Sequence, residues 1–273
     1  MKNINFAQTF KPEKQYIGSL LRIAEKGIPM TTKEISLETG IPMGERSGKV
    51  IPHIEYSKFM GLIEYVKQDA NTFLLNLTEL GKTVLDEDPG IREKLTILLL
   101  NSMLLRETEG APIWDSMFGK VLPKYHGKIS IDDAIAELNV IYENKITKKN
   151  FAPFSNSYED MFSSLGYFKQ TTDDNLELSY LPKVDSDFVY LYCFILLAYW
   201  DEIFANRLEI TANEFSELNF GNKLNCDRQT EYKILELIND KGLIRLNRQM
   251  NPYTIMRLTS KDELIHNLYS ELF

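Results

Sequence analysis

The chain has 273 residues, of which 44% are hydrophobic and 11% aromatic. This composition can bury a substantial core, in two domains or three small modules, and it excludes an intrinsically disordered protein. The formal net charge of −8 repels polyanions at long range, so any contact with nucleic acid must come from a local basic patch. Two cysteines without metal-ligand spacing, and a start without signal-peptide features, predict a cytosolic protein that is not anchored in a membrane.

The first 40 residues predict two helices separated by a turn. Apolar side chains at helical spacing indicate a helix over residues 12–26, which Gly27 ends. Thr31 and Glu34 form a capping sequence at the start of a short second helix, which Gly40 ends. The opening of the chain is therefore predicted to be helix, turn, helix.

Residues 41–80 are the stretch around which the rest of the sequence is organised. A third helix is predicted to begin near residue 43 and to contain Pro52, which would split or kink it. Two segments rich in β-forming residues, 62–66 and 72–77, follow this helix, and polar turn residues join them as in a β-hairpin. Three helices followed by a hairpin are typical of winged helix-turn-helix domains.

The middle of the chain is predicted to be mainly helical. A helix is predicted over residues 91–106, and its stretch 95–105 is apolar nearly all round, which indicates burial. Ser130 is the predicted cap of a later amphipathic helix. The apolar run over residues 188–199 spans about a dozen residues and ends at Trp200, so it is too short to cross a membrane. It predicts a buried core helix instead.

A helix, a glycine and a hairpin recur three times, with the glycine at Gly61, Gly166 and Gly242. The first and last copies are complete and the second is degenerate. The predicted fold class is therefore mainly α with small β-hairpins, with winged helix modules at both ends around a helical middle. The predicted domains are an N-terminal winged-helix module over residues 1–88, a central helical domain with a hairpin over 89–185, and a C-terminal winged-helix module over 186–273.

Basic side chains in the two terminal modules are the candidates for DNA contact. Positive charges slightly outnumber negative ones over residues 44–60, whereas the reverse holds over residues 227–242. The predicted phosphate contacts are Arg46, Lys49, Lys58 and Lys67 in the first module, and Arg245 and Arg248 in the second. The predicted base contacts are Ser47, Lys49 and His53.

The sequence contains no recognised catalytic, metal-binding or cofactor motif. His53, His126 and His266 lie far apart and lack the spacing of a zinc site or a catalytic triad. Asp132 and Asp133 are carboxylates of the kind that a two-metal nuclease uses, although helix capping and a solvated helix face explain them more simply. We therefore expect a non-enzymatic protein without a cofactor or a bound metal.

Three segments of the chain resemble a bacterial family of unknown function: residues 6–10 (FAQTF), residues 44–63, and residues 98–118 with their leucine-rich helix and Trp114. Members of that family are encoded beside DNA phosphorothioation and related anti-phage defence genes, and some relatives have been assigned a nicking role. This chain has Ala7 and Gln8 where the family usually has His and Glu. No catalytic motif of the family can be matched to residues of this chain, so the resemblance implies DNA recognition but assigns no catalytic residue.

The sequence thus predicts a DNA-binding subunit of a bacterial DNA modification or anti-phage defence system, acting with other proteins of that system. Two alternatives stay open. The protein is an interaction scaffold if Glu45, Glu55 and Glu64 neutralise the surface that carries Arg46 and Lys49, since winged helices often bind proteins. It is a metal-dependent nickase if convergent carboxylates hold Mg²⁺.

Overall fold

A computed structural model of the chain describes residues 3–44, 48–169, 174–180, 184–205, 207–249 and 251–272. The fold is mainly α with small antiparallel sheets, which confirms the prediction of a mainly α protein with β-hairpins. The N-terminal part contains α1 (Lys14–Lys26), β1 (Pro29–Thr31), α2 (Thr32–Thr39), α3 (Val50–Phe59), β2 (Ile63–Lys67), β3 (Thr72–Leu77) and α4 (Glu79–Glu87).

The N-terminal elements begin and end where local signals place them. Gly27 follows α1 with φ of 59°, a left-handed conformation that favours glycine. Thr31 and Glu34 form the predicted capping box at the start of α2. The strands form one antiparallel sheet in the order β1-β3-β2, in which Lys67 is paired with Phe73.

The third helix starts later than predicted. Met43 and Gly48 form an isolated β-bridge, and α3 begins at Val50, so the predicted start near residue 43 was wrong. Pro52 is the third residue of α3. The first turn of a helix has no intrahelical acceptors for its N–H groups, so a proline is tolerated there. Pro52 thus lies at the start of a short helix and does not interrupt a longer one.

The central part joins short helices to a small sheet. Its elements are α5 (Lys94–Leu104), α6 (Pro112–Ser116), a π-helical turn (Met117–Val121), α7 (Leu122–Lys124), β4 (Lys128–Ser130), α8 (Ile131–Ile141), α9 (Lys148–Glu159) and β5 (Asn175–Glu177). Ser130 caps α8 as predicted, because its hydroxyl accepts a hydrogen bond from the backbone N–H of Asp133. Strands β4 and β5 are antiparallel, and an isolated bridge joins Phe168 to Leu178 beside them.

The C-terminal part repeats the order of the N-terminal part with one additional short helix, Phe220–Lys223. Its elements are α10 (Val189–Phe204), β6 (Glu209–Thr211), α11 (Ala212–Glu217), α12 (Phe220–Lys223), α13 (Arg228–Asp240), β7 (Ile244–Asn247), β8 (Thr254–Arg257) and α14 (Lys261–Ile265). The strand order β6-β8-β7 matches β1-β3-β2. Thr211 and Glu214 form a capping box at the start of α11, as Thr31 and Glu34 do at the start of α2.

Two apolar helices, α5 and α10, form the centre of the core. The buried residues of α10 include Cys193 and Trp200, which confirms the prediction of a core helix in this segment. The Tyr199 hydroxyl donates to the carbonyl of Ser102 on α5 at 2.9 Å, so the two helices are also joined by a buried hydrogen bond. Among the helices formed by the described residues, none has the length and apolar character needed to cross a membrane.

The three predicted domains share this core. Buried hydrophobic residues from all three belong to one contiguous cluster. A buried ion pair joins Asp115 on α6 to Lys223 on α12 at 2.9 Å, and the ammonium of Lys223 also lies 4.8 Å from the ring centre of Tyr199. Removing one member of such a pair leaves an uncompensated buried charge, so this contact fixes the central part against the C-terminal part.

Candidate nucleic-acid interface

The helix α3 precedes the first hairpin, and other parts of the chain cover it. The N-terminal segment, which we define as residues 3–13, packs along it. Phe6 makes edge-to-face contacts with Tyr56 and Phe59, at centroid distances of 4.9 and 4.6 Å. The Tyr56 hydroxyl donates to the carbonyl of Phe10 at 2.9 Å, and Trp114 of α6 lies 5.8 Å from the Tyr56 ring. Much of the surface of α3 is therefore interior.

Lys49 and His53, two of the predicted DNA contacts, are engaged within the protein. The Lys49 ammonium lies 2.6 Å from a carboxylate oxygen of Glu13 and 5.5 Å from the ring centre of Tyr16. His53 is fully buried. Its Nδ1 lies 2.7 Å from the carbonyl of Lys49, and its Nε2 accepts the backbone N–H of Glu13 at 3.2 Å. In this arrangement the His53 ring has no surface with which to read a base.

The hydrogen bonds of His53 fix its protonation state. Because Nε2 accepts a hydrogen bond, the proton of the neutral ring resides on Nδ1, which donates to the carbonyl of Lys49. Burial lowers the pKa of His53 below its usual value, because the charged ring would be poorly solvated there. The neutral side chain thus connects α3 to the N-terminal segment.

The remaining cations of the first module differ in position. Arg46 and Ser47 lie outside the described residues. Lys58, near the end of α3, and Lys67, at the end of β2, are both exposed. Each ammonium lies over an aromatic ring, Lys58 at 5.3 Å from Tyr65 and Lys67 at 5.6 Å from Phe73. Neither lysine forms an ion pair with another described residue, so both are available to an anion.

The corresponding helix of the C-terminal module, α13, presents a polar face to solvent. Its buried residues are Ile234, Leu235 and Ile238, on one side of the helix. A different face carries polar side chains at helical spacing, namely Gln229, Lys233, Glu236 and Asp240. Three of these four are exposed and Glu236 is partly exposed. The exposed stripe of α3 is less polar, because it consists of Ile51, the partly exposed Glu55 and Lys58.

The hairpin β7–β8 places two arginines beside α13. Arg245 and Arg248 are exposed and help to line a shallow concavity of about 520 Å³, together with Asn239, Asn247 and Gln249. The side-chain oxygen of Asn239 accepts the backbone N–H of Leu246 at 3.0 Å, which ties the hairpin to the helix. Within the described part of the chain, Arg245 has no carboxylate partner.

Arg248 differs from Arg245 because two groups of α13 hold it. Its guanidinium lies 2.8 Å from a carboxylate oxygen of Glu236 and 5.6 Å from the ring centre of Tyr232. The site residues predicted from the sequence do not include Glu236, Tyr232, Arg228 or Lys233. The signal was present for Lys233 and Glu236, since both lie on the polar side of an amphipathic helix, opposite Ile234 and Ile238.

A cleft of about 640 Å³ lies between the first module and the helices α10 and α14. Its lining combines apolar side chains, such as Met103 and Phe194, with charged groups of both signs. The guanidinium of Arg106 lines this cleft and donates to the carbonyls of Met103 and Phe59, at the C-terminal ends of α5 and α3. Helix C-termini favour a cation, so these contacts account for its position.

The carboxylates considered for a nuclease site take part in local contacts. Asp132 pairs with Lys148 at 2.7 Å, and Asp133 accepts the hydroxyl proton of Ser130 at 2.6 Å. Across the described residues, no group of three or more His, Cys, Asp or Glu side chains is placed to hold a metal ion. The described geometry therefore assigns these two aspartates to an ion pair and a helix start.

Comparison with known proteins identifies a shared fold. No protein-family model matches the sequence, and no curated protein matches it significantly. Two crystal structures of SspB, one of them with magnesium ion bound, are similar to this chain. Each aligns with a TM-score of 0.73 and 15% sequence identity over 100% of this chain and 88% of the SspB chain. The chain therefore has the fold of SspB over its whole length.

Proposed function

We propose that this protein is a DNA-binding subunit of a bacterial DNA phosphorothioation or anti-phage defence system, which contacts duplex DNA through winged-helix modules. Two separate observations support the proposal. Three segments of the sequence resemble a family encoded beside such genes. Both ends of the chain also contain a helix, a short strand, further helices and a hairpin, with sheet orders β1-β3-β2 and β6-β8-β7, although the C-terminal part has the additional short helix α12.

The exposed surface of α13 and the hairpin β7–β8 carries the proposal. A helix that enters the major groove needs a solvent-facing polar side, and a hairpin beside it needs cations for the phosphates. In the C-terminal module, α13 supplies Gln229 and Lys233, and the hairpin supplies Arg245 and Arg248. The two elements are held together by the hydrogen bond from Leu246 to Asn239.

The first module has a supporting role in this proposal. Lys58 and Lys67 remain candidates for phosphate contacts, because both are exposed. Lys49 and His53 make contacts within the protein that bound DNA would have to replace, so we no longer assign them phosphate or base contacts. Arg46 and Ser47 keep the roles proposed from the sequence.

Binding to duplex DNA across a range of salt concentrations tests the proposal. If the cations above neutralise phosphates, the logarithm of the affinity falls linearly with the logarithm of salt, by about 0.9 for each phosphate contacted. The same duplex should be measured with and without phosphorothioate linkages, because the two forms differ at the backbone that these cations would contact. Lack of duplex binding at low salt, or binding without a salt slope, would refute the proposal.

A second candidate function is protein interaction within the same kind of assembly. It is favoured by one observation, which is that Glu13 neutralises Lys49 while the N-terminal segment covers α3. The carboxylates predicted from the sequence to neutralise the surface of Arg46 and Lys49 were Glu45, Glu55 and Glu64. Of these, Glu55 accepts the Tyr65 hydroxyl at 2.5 Å. A scaffold would form a stable complex with other proteins of the system while showing no salt-dependent affinity for duplex DNA.

A further inference from the structure

Glu236 occupies a position between the two elements proposed to contact DNA. Its carboxylate lies 2.8 Å from the guanidinium of Arg248, and the side chains of the two residues are 40% and 56% exposed. Both groups are therefore open to solvent, and a phosphate can reach the guanidinium. Arg245, in the same concavity, has no such partner among the described residues. Within the described part of the chain, one of the two hairpin arginines is held by a carboxylate and the other is not.

The contact with Glu236 resembles the contact that a phosphate would make. A carboxylate and a phosphate each present oxygen atoms that accept charge-assisted hydrogen bonds from a guanidinium. An exposed ion pair of this kind is weak, so a polyanion can exchange with the carboxylate. The ring of Tyr232 lies 5.6 Å from the guanidinium and restricts where Arg248 can move. The side chain is thus held close to α13 without being buried.

We propose that Glu236 is an internal competitor for the DNA phosphate at Arg248, and that it limits the affinity of the C-terminal module for duplex DNA. This inference rests on the proposed function. Glu236 shares its helix face with Lys233 and Asp240, so it also lies on the surface proposed to face the duplex. The ion pair between Glu236 and Arg248 lowers the affinity for any polyanion. It makes Arg248 available only where a phosphate is placed to displace the carboxylate.

The test compares two substitutions that change the net charge equally. Glu236→Gln releases Arg248, whereas Asp240→Asn removes a carboxylate from the same helix face without touching either arginine. Asp240 is exposed, and its described contact is with the side-chain amide of its neighbour Asn239, at 3.2 Å. Affinity for a fluorescent duplex is measured by anisotropy across about 50 to 200 mM salt, the range in which phosphate contacts dominate. Matched thermal unfolding midpoints show that the variants are folded.

We expect a gain in affinity for the duplex that is specific to Glu236→Gln. Its affinity at low salt should rise about two- to fivefold above wild type, which corresponds to the strength of an exposed ion pair. Its salt slope should steepen by up to about 0.9, the contribution of one phosphate. Asp240→Asn should give a smaller gain and an unchanged slope. Adding Arg248→Ala to Glu236→Gln should reduce the affinity to that of Arg248→Ala with the Asp240→Asn change.

Three other outcomes would overturn the inference about Glu236. Equal gains from Glu236→Gln and Asp240→Asn would overturn the inference and leave the proposed function standing, because only charge would matter. A gain from Glu236→Gln that survives Arg248→Ala would also overturn it. No binding by wild type or by any variant, Glu236→Gln included, would overturn both the inference and the proposed function.

Discussion

The N-terminal and C-terminal modules share a sheet order and a capping box at the same place, and they differ in element order only by the short helix α12. They differ in what covers the helix before the hairpin. Residues 3–13 and Trp114 pack on α3, whereas α13 keeps a polar face in solvent. The same local architecture therefore forms an internal joint in one case and an open surface in the other.

The two modules show that a shared topology does not determine which side chains of the helix before the hairpin are exposed. On α3, the predicted base contact His53 and its neighbour Tyr56 are buried. On α13, burial is confined to the side that faces its own module. If the account is correct, perturbing the first module chiefly changes stability, while perturbing the second chiefly changes binding.

The largest stability effect is expected at Phe6. Phe6→Ala removes ring contacts with Tyr56, Phe59 and Trp114, so it should reduce the free energy of unfolding by about 3–5 kcal/mol. Tyr232→Ala, at a partly buried position on α13, should cost clearly less. Urea unfolding of both variants measures the two losses in the free energy of unfolding. Similar losses for the two would mean that α3 is no more integrated into the core than α13.

A smaller effect is expected at His53. His53→Gln should cost about 1–3 kcal/mol at neutral pH, since a buried hydrogen-bonding group loses its partners or its geometry.

The same histidine makes stability depend on pH. Because its pKa is lowered in the folded state, the unfolded chain binds more protons below about pH 6.5. The stabilisation is therefore complete above that pH and is lost as the pH falls through the lowered pKa. Unfolding measured from pH 7 down to pH 5 should show a shallower decline for His53→Gln than for wild type. An unchanged decline would contradict the buried neutral assignment.

The smallest stability effect is expected where the modules are alike. Thr31→Ala and Thr211→Ala each remove the side chain of a capping box, and each should cost about 1 kcal/mol. The two losses should agree within a factor of about two, because the hydrogen bonds of the two capping boxes are the same, although Arg207 also pairs with Glu214. Thermal unfolding of both variants checks this. A large loss at one site and none at the other would show that the two modules are not locally equivalent.

Much of this architecture was predictable, because it depends on short-range signals. The end of α1 at Gly27 and the start of α2 at Thr31 and Glu34 depend on contacts within one or two helical turns. Both were predicted correctly from the sequence. The start of α3 was misplaced, because Pro52 was interpreted as an interruption when it lies in the first turn. A proline is tolerated in the first turn of a helix and kinks or breaks its interior, so Pro52 itself favoured the later start.

Whether the predicted DNA contacts are exposed or paired within the protein could not be predicted from short-range signals. Lys49 and His53 contact Glu13, which lies 36 and 40 residues before them in the chain. Such contacts depend on tertiary packing. One signal did exist, since Phe6 and Phe10 are two aromatic residues within a short segment that precedes a helix, which indicates burial. For Arg248, its pairing with Glu236 joins a helix to a hairpin and follows from their packing.

The central claim is that the C-terminal module supplies the main DNA contacts, and one set of variants of the full chain tests it. Arg245→Ala/Arg248→Ala is compared with Lys58→Ala/Lys67→Ala for affinity to the same duplex across salt. Arg22→Ala is the control, because Arg22 is an exposed cation on α1, outside both hairpins and their preceding helices.

The account predicts that Arg245→Ala/Arg248→Ala lowers affinity about three- to tenfold and reduces the salt slope by about 0.9 to 1.8, the contribution of one or two phosphates. Lys58→Ala/Lys67→Ala should have a smaller effect, and Arg22→Ala should have none. A larger loss from the lysine pair, with binding unaffected by the arginine pair, would contradict the claim and assign the interface to the first module.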